Sequence, residues 1–228
     1  MPFLSLGIEI TYTTGMLIRI GACKMLRFFT ILTGFFAFLA LTATAHAQSG
    51  MTFPDKVIGK ERTPVVIDEY ISLTCPHCAE FYNTTLPELE KRYVKTGKVR
   101  IIMHDFPLDG TGLKAAALAR CMPAEEYFPF IQILYDNQAK WAASNNPDKV
   151  LIQYARLGGL DEDRAKTCLN DQGIQAAIMA ERSAAVDQYG VGSTPTFVFN
   201  KGVEKMEGAS NIDGFAVIID RMLAHSKK

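Results

Sequence analysis

The chain is poor in the features that mark many specialised proteins. It has no excess of either charge: 24 Lys and Arg stand against 24 Asp and Glu, with pI ≈ 6.9. With no basic run or stripe there is no electrostatic footprint for a phosphate backbone, so nucleic acid is excluded as a partner. Low-complexity stretches are missing too. The 10 Pro and 17 Gly are dispersed through a chain that is 48% hydrophobic, which excludes a collagenous or disordered polymer. No apolar run reaches the ~20 residues that cross a bilayer as a helix. His is scarce, at 4 residues, and the Met residues are scattered, so no metal-binding tract is present and no metal or cofactor is expected. At 228 residues the chain can hold one large domain or two small ones.

The longest apolar stretch, Phe28 to Leu41, follows Lys24 and Arg27 and precedes Ala45-His46-Ala47. A positive n-region, a short apolar core and an A-x-A exit describe a secretory signal peptide cut after Ala47. The run is too short for a membrane anchor. Met25 stands where a start would give an ordinary n-region, so residues 1–24 read as an over-extended start, with a genuine extension as the alternative. Removing residues 1–47 removes Arg19, Lys24 and Arg27 against Glu9, which leaves 21 basic and 23 acidic residues. Cys23 goes with them, and the five cysteines become four: Cys75, Cys78, Cys121 and Cys168. An even count in an exported protein points to an oxidising compartment, here the periplasm.

Strand signals cover Val65 to Leu73 and Val99 to Phe106, with a helical stripe from about Cys78 to Lys95 between them. That β-α-β order implies a right-handed crossover and parallel pairing. From Gly112 to Asp187 the pattern is helical, with Asn146-Pro147 and Asp161 as helix starts and Gly158-Gly159 as a stop. Strands return at Thr196 to Phe199 and near Val203 to Met206, and a helix over Ile212 to Ala224 closes the chain. The expectation is an α/β domain, residues 48–110 and 188–228, interrupted by an all-helical insertion over residues 111–187.

Cys75-Pro76-His77-Cys78 follows a strand and opens a helix. Unpaired N–H groups and the positive end of the dipole stabilise a thiolate there. Pro76 suits the first helical turn, and a protonated His77 would add positive charge beside the sulfur. Stabilising the reduced thiolate makes the disulfide form a stronger oxidant. Cys75 is expected to be the exposed, reactive thiol and Cys78 the resolving one. A zinc site would need two further ligands at matching spacing, and none stands nearby. A purely structural Cys75–Cys78 bridge would close too small a loop to constrain the unfolded chain. A second signal is Thr194-Pro195, just ahead of a strand, where a proline is tolerated and a cis bond would leave the Thr194 backbone free to pair with an extended chain.

A strand ending in CPHC, a helical insertion and a later TPTF entering a hairpin resemble the DsbA family of thioredoxin-fold thiol oxidases, over essentially the whole exported chain. The resemblance implies several things. Pro195 would be the cis-proline facing the active site, with Thr194 beside it as substrate contact. The Cys75–Cys78 disulfide would pass to unfolded exported proteins with free thiols. A DsbB-like, quinone-linked membrane oxidase would restore it. Glu69 falls where such proteins carry a buried acid beneath the site, while Ile101 stands where the family's usual lysine partner would be. Cys121 and Cys168 are expected to bridge, as in some relatives, the alternative being two buried free thiols. His104, Trp141, Tyr127, Phe128 and Phe130 read as structural.

Two other functions compete. One is an isomerase or reductase of the same fold, because a Thr before the cis-proline also occurs in isomerase-like relatives. The other is a non-catalytic, chaperone-like module. The short segment from Gln48 to Thr63 offers no dimerisation domain, so a monomer is expected.

Overall fold

The computed structural model describes residues 51–226. The presequence, the signal segment and Met25 lie outside the described residues. Five strands form one mixed sheet in the order β1-β3-β2-β4-β5. Strands β2 (Val65–Ile71) and β3 (Val99–Asp105) run parallel at its centre, while β4 (Thr196–Phe199) pairs antiparallel with β2. Strand β5 (Glu204–Glu207) forms a hairpin with β4. Strand β1 (Lys56–Ile58) lines the other edge, antiparallel to β3. The sequence reading has no β1 and starts the sheet at Val65. Three half-buried residues are too short a run for alternation to register, and β3 rather than local propensity holds them in place.

The crossover from β2 to β3 is helical from Pro76 to Val94. It consists of α1 (Pro76–Glu80), a π turn (Phe81–Thr85), α2 (Leu86–Leu89) and a second π turn (Glu90–Val94). Pro87, at the start of α2, has no N–H to return to the preceding turn, which accounts for the first widening. Six helices then separate β3 from β4: α3 (Gly110–Arg120), α4 (Tyr127–Asp136), α5 (Gln138–Ala142), α6 (Pro147–Leu157), α7 (Glu162–Leu169) and α8 (Gln172–Tyr189). Asp109, Asn146, Asp161 and Asp171 each accept backbone N–H bonds as N-caps, and Gly190 ends α8 in the left-handed conformation at φ 62°. Helix α9 (Ile212–His225) closes the chain.

Sheet alternation decides which side chains meet which helices. Ile67, Glu69 and Ile71 share one face of β2, and Glu69 stands opposite Phe197 on β4. Phe197 and Phe199 pack there against Phe81 and Phe215. On the other face Tyr70 and Val198 meet Ala185 and Val191, with Tyr189 against them. Trp141, Tyr127 and Phe130 are fully buried in the helical region, with Phe128 packed against the same core. Core residues run without a break from the sheet into the insertion. Cys121, after α3, is bonded to Cys168 in α7, so the expected bridge is present.

Candidate active site

The end of β2 delivers Cys75 to the start of a helix. Cys75 is the N-cap of α1, in extended conformation (φ −79°, ψ 120°), with Pro76 in the first turn. Its carbonyl accepts the N–H groups of Cys78 and Ala79, and its own N–H goes to the Ser72 carbonyl. Both Cys75 and Cys78 are free thiols in this structure. Cys75 is 6% exposed and Cys78 is fully covered. The sequence reading expects an exposed Cys75. The relative order holds, but the segment before β4 lies over the sulfur: Cys75 Sγ donates to the Thr194 carbonyl at 3.2 Å. The Thr194–Pro195 peptide is cis and both residues are buried.

The two sulfurs differ sharply in acidity. The Cys75 pKa is pushed down to about 5. The Cys78 S–H contributes most, donating to the ionised sulfur, and partial burial opposes it. The side chain of Thr194, whose hydroxyl has no other partner among the described residues, and the backbone N–H groups of Cys78 and His77 also favour the ionised form. As a thiol, Cys75 points at the Thr194 carbonyl; as a thiolate, it is held by this ring of donors. Burial pushes Cys78 the other way, and the adjacent Cys75 charge raises it further. Two thiols one helical turn apart are thereby set for different tasks.

His77 follows Pro76 in the first turn of α1. Its exposed imidazole points to Glu80, Nδ1 to Oε2 at 3.4 Å. The backbone N–H of His77 is among the groups that favour the Cys75 thiolate.

Glu69 is fully buried, while its neighbour Asp68 faces the other side and meets His104 at 2.9 Å. His104 also stacks on Tyr70, consistent with a structural residue. Neither Glu69 oxygen has a hydrogen-bond partner among the described residues, nor does the buried Tyr82 hydroxyl. Ile101 is buried and apolar, so no cation enters from that position. Burial alone lifts the Glu69 pKa to about 8 from an ordinary 4.5. Tyr135 lies within electrostatic reach of both Cys78 and Glu69.

A carboxyl group with a raised folded pKa destabilises the fold once the unfolded chain can ionise. The loss begins above about pH 4.5 and grows until about pH 8. Glu69→Gln is therefore expected to leave stability near wild type at pH 4. At pH 7 it should raise stability by about 3 kcal/mol, read by urea unfolding at both pH values.

Sequence reasoning misses the shell around the turn. The Thr74 hydroxyl donates to Asp109 at 2.6 Å, Tyr135 donates to the Ser72 carbonyl, and Gln138 donates to the carbonyls of Leu73 and Cys75. These partners come from the insertion or its approach, tens of residues away, and no local pattern announces them.

Comparison with known proteins agrees with this geometry. The Thioredoxin family model matches residues 52–221. Wolbachia pipientis alpha-DsbA1, a solved structure, is 31% identical, with a TM-score of 0.69 over 78% of this chain and 94% of that one. The chain belongs to the DsbA family of thioredoxin-fold proteins. A Rickettsia felis protein named as a candidate protein-disulfide oxidoreductase is 34% identical over 175 residues, 76% of this chain. The chain spans 62% of that curated relative's length. Chlamydia trachomatis DsbA, at 18% identity and a TM-score of 0.65, shares the fold with 76% of this chain. The helical region between β3 and β4 corresponds to the insertion expected of a DsbA-type thioredoxin fold.

Proposed function

We propose that this protein is a thiol:disulfide oxidoreductase that works as a dithiol oxidase on unfolded exported proteins in the periplasm. The observation that carries the reading is the placement of Cys75 as the N-cap of α1 against the cis Thr194–Pro195 segment, with Cys78 covered behind it, an arrangement that makes Cys75 the acidic thiol of the pair. An acidic thiol is a good leaving group, and a reduced state stabilised as thiolate makes the disulfide a strong electron acceptor.

In the oxidised protein Cys75 and Cys78 share a disulfide. A substrate thiolate attacks Cys75 Sγ, the Cys75–Cys78 bond breaks and Cys78 leaves, taking a proton. Glu69, mostly protonated at neutral pH, is the supporting acid for that proton. A second substrate thiolate then attacks the substrate sulfur of the mixed disulfide, and Cys75 departs as its stable thiolate. The substrate loses two electrons and the protein gains them. Thr194 and Pro195 form the substrate-binding edge beside Cys75, where an extended chain can lie along the Thr194 backbone. A DsbB-like membrane oxidase, linked to quinone, accepts the two electrons, and the protein acts as a monomer.

The test offers the oxidised protein either a reduced unfolded substrate or the same substrate with scrambled disulfides, with mass in solution measured in parallel. The reading expects rapid oxidation of the first, poor rescue of the second and a monomeric mass. Efficient rescue of scrambled bonds by a stable dimer would reassign it as an isomerase.

A further inference from the structure

The turn that carries Cys75 is gripped from two sides. On one, Asp109 takes the Thr74 hydroxyl at 2.6 Å with one carboxylate oxygen and the Gly112 N–H at 2.7 Å with the other. On the other, half-buried Gln138 opens helix α5 and reaches in from the insertion. Its Nε2 donates to the Leu73 carbonyl at 2.8 Å and to the Cys75 carbonyl at 3.0 Å. A carboxamide nitrogen carries two hydrogens, so each carbonyl can have its own. The two carbonyls bracket Thr74, and a single side chain therefore fixes the backbone on both sides of the residue preceding the reactive thiol.

We propose that Gln138 is a positioning residue for disulfide exchange, holding the Cys75 backbone so that Sγ stays turned toward Thr194 and tying the helical insertion to the reacting sulfur. The proposal rests on the oxidoreductase reading above. Gln138 does not touch the sulfur; it acts through the Cys75 main chain. The choice of carboxamide matters. A hydrocarbon of similar length fills the space and donates nothing, leaving the Leu73 carbonyl without this partner. A carboxylate of nearly identical shape presents oxygen to two carbonyl oxygens and sets a negative charge beside a residue that must itself become negative.

Two variants, Gln138→Leu and Gln138→Glu, test this beside the wild-type protein. Four quantities are read: the thiolate absorbance of Cys75 against pH, the equilibrium constant with glutathione, the rate of oxidation of a reduced model peptide, and the unfolding temperature. Gln138→Leu removes both bonds and is expected to slow peptide oxidation about tenfold or more, with a modest fall in unfolding temperature. Gln138→Glu should raise the proton affinity of Cys75 at least about tenfold and lower the oxidising power in step. Should Gln138→Leu fold poorly, the nearly isosteric Gln138→Glu decides alone. Wild-type rates and an unmoved Cys75 midpoint in the variants, with an acidic midpoint in the wild type, would overturn the role of Gln138 only. An alkaline midpoint in the wild type would overturn the oxidoreductase reading instead.

Discussion

Cys75→Ala is expected to lower the rate of disulfide transfer on the order of a thousandfold or more, as loss of a covalent centre does. Cys78→Ala behaves differently. It keeps the Cys75 thiol and its N–H donors at the helix start, loses the Cys78 S–H that contributes most to its acidity, and loses the partner that resolves the mixed disulfide, so it is expected to accumulate covalently attached to disulfide-bearing peptides. Non-reducing electrophoresis and intact-mass measurement separate the two outcomes. The asymmetry follows from burial. Cys75 retains 6% of its surface at the mouth of the site, whereas Cys78 is sealed under the turn. Equal trapping by both variants would contradict the division of labour between the sulfurs.

Removing the second bridge with Cys121→Ala and Cys168→Ala together costs about 4 kcal/mol of unfolding free energy, as the loop-entropy relation gives for a separation of 47 residues. The bridge joins the end of α3 to α7 inside the insertion, and both helices contribute to the one core that continues into the sheet. The loss therefore appears as a fall in the denaturation midpoint of the whole described body. Exchange activity is expected to persist below that midpoint, because neither sulfur lies in the Cys75 turn. Denaturant unfolding of the double variant against wild type, both with Cys75 and Cys78 reduced, measures the cost. No change in midpoint would contradict it.

Much of this was legible before any coordinates, and the parts that were not share a cause. Period-2 and period-3.6 patterns placed β2, β3, β4 and the helices, and Asn146 and Asp161 cap where side-chain chemistry requires. Alternation along β2 required Asp68 and Glu69 to face opposite ways, and Glu69 is the buried one. The placement of Cys75 at a helix start followed from strand, Pro76 and helix in succession. What sequence could not give depends on partners remote in the chain. Strand β1 exists because β3 offers it an edge. The family resemblance sets Thr194 and Pro195 beside the active site, but that their segment covers the Cys75 sulfur, from more than a hundred residues away, has no local signal. The imidazole of His77 turns to Glu80, a rotamer choice that spacing does not fix. Gln138 and Asp109 grip the turn through tertiary contacts alone.

The central claim is that the donors around Cys75 keep its thiolate stable well below neutral pH, and following thiolate absorbance through a pH titration of the reduced protein tests it most directly. The account predicts a midpoint near pH 5. It also predicts that the reduction potential falls by about 60 mV per pH unit below that midpoint and by about 30 mV above it, because reduction then takes up one proton instead of two. A folded pKa below the unfolded one further means that Cys75 contributes stability to the reduced protein that grows as pH rises from 5 toward 9 and is lost as pH falls through 5, opposing the contribution of Glu69 over much of that range. A midpoint near 9, with a single slope of about 60 mV per pH unit throughout the neutral range, would contradict the account.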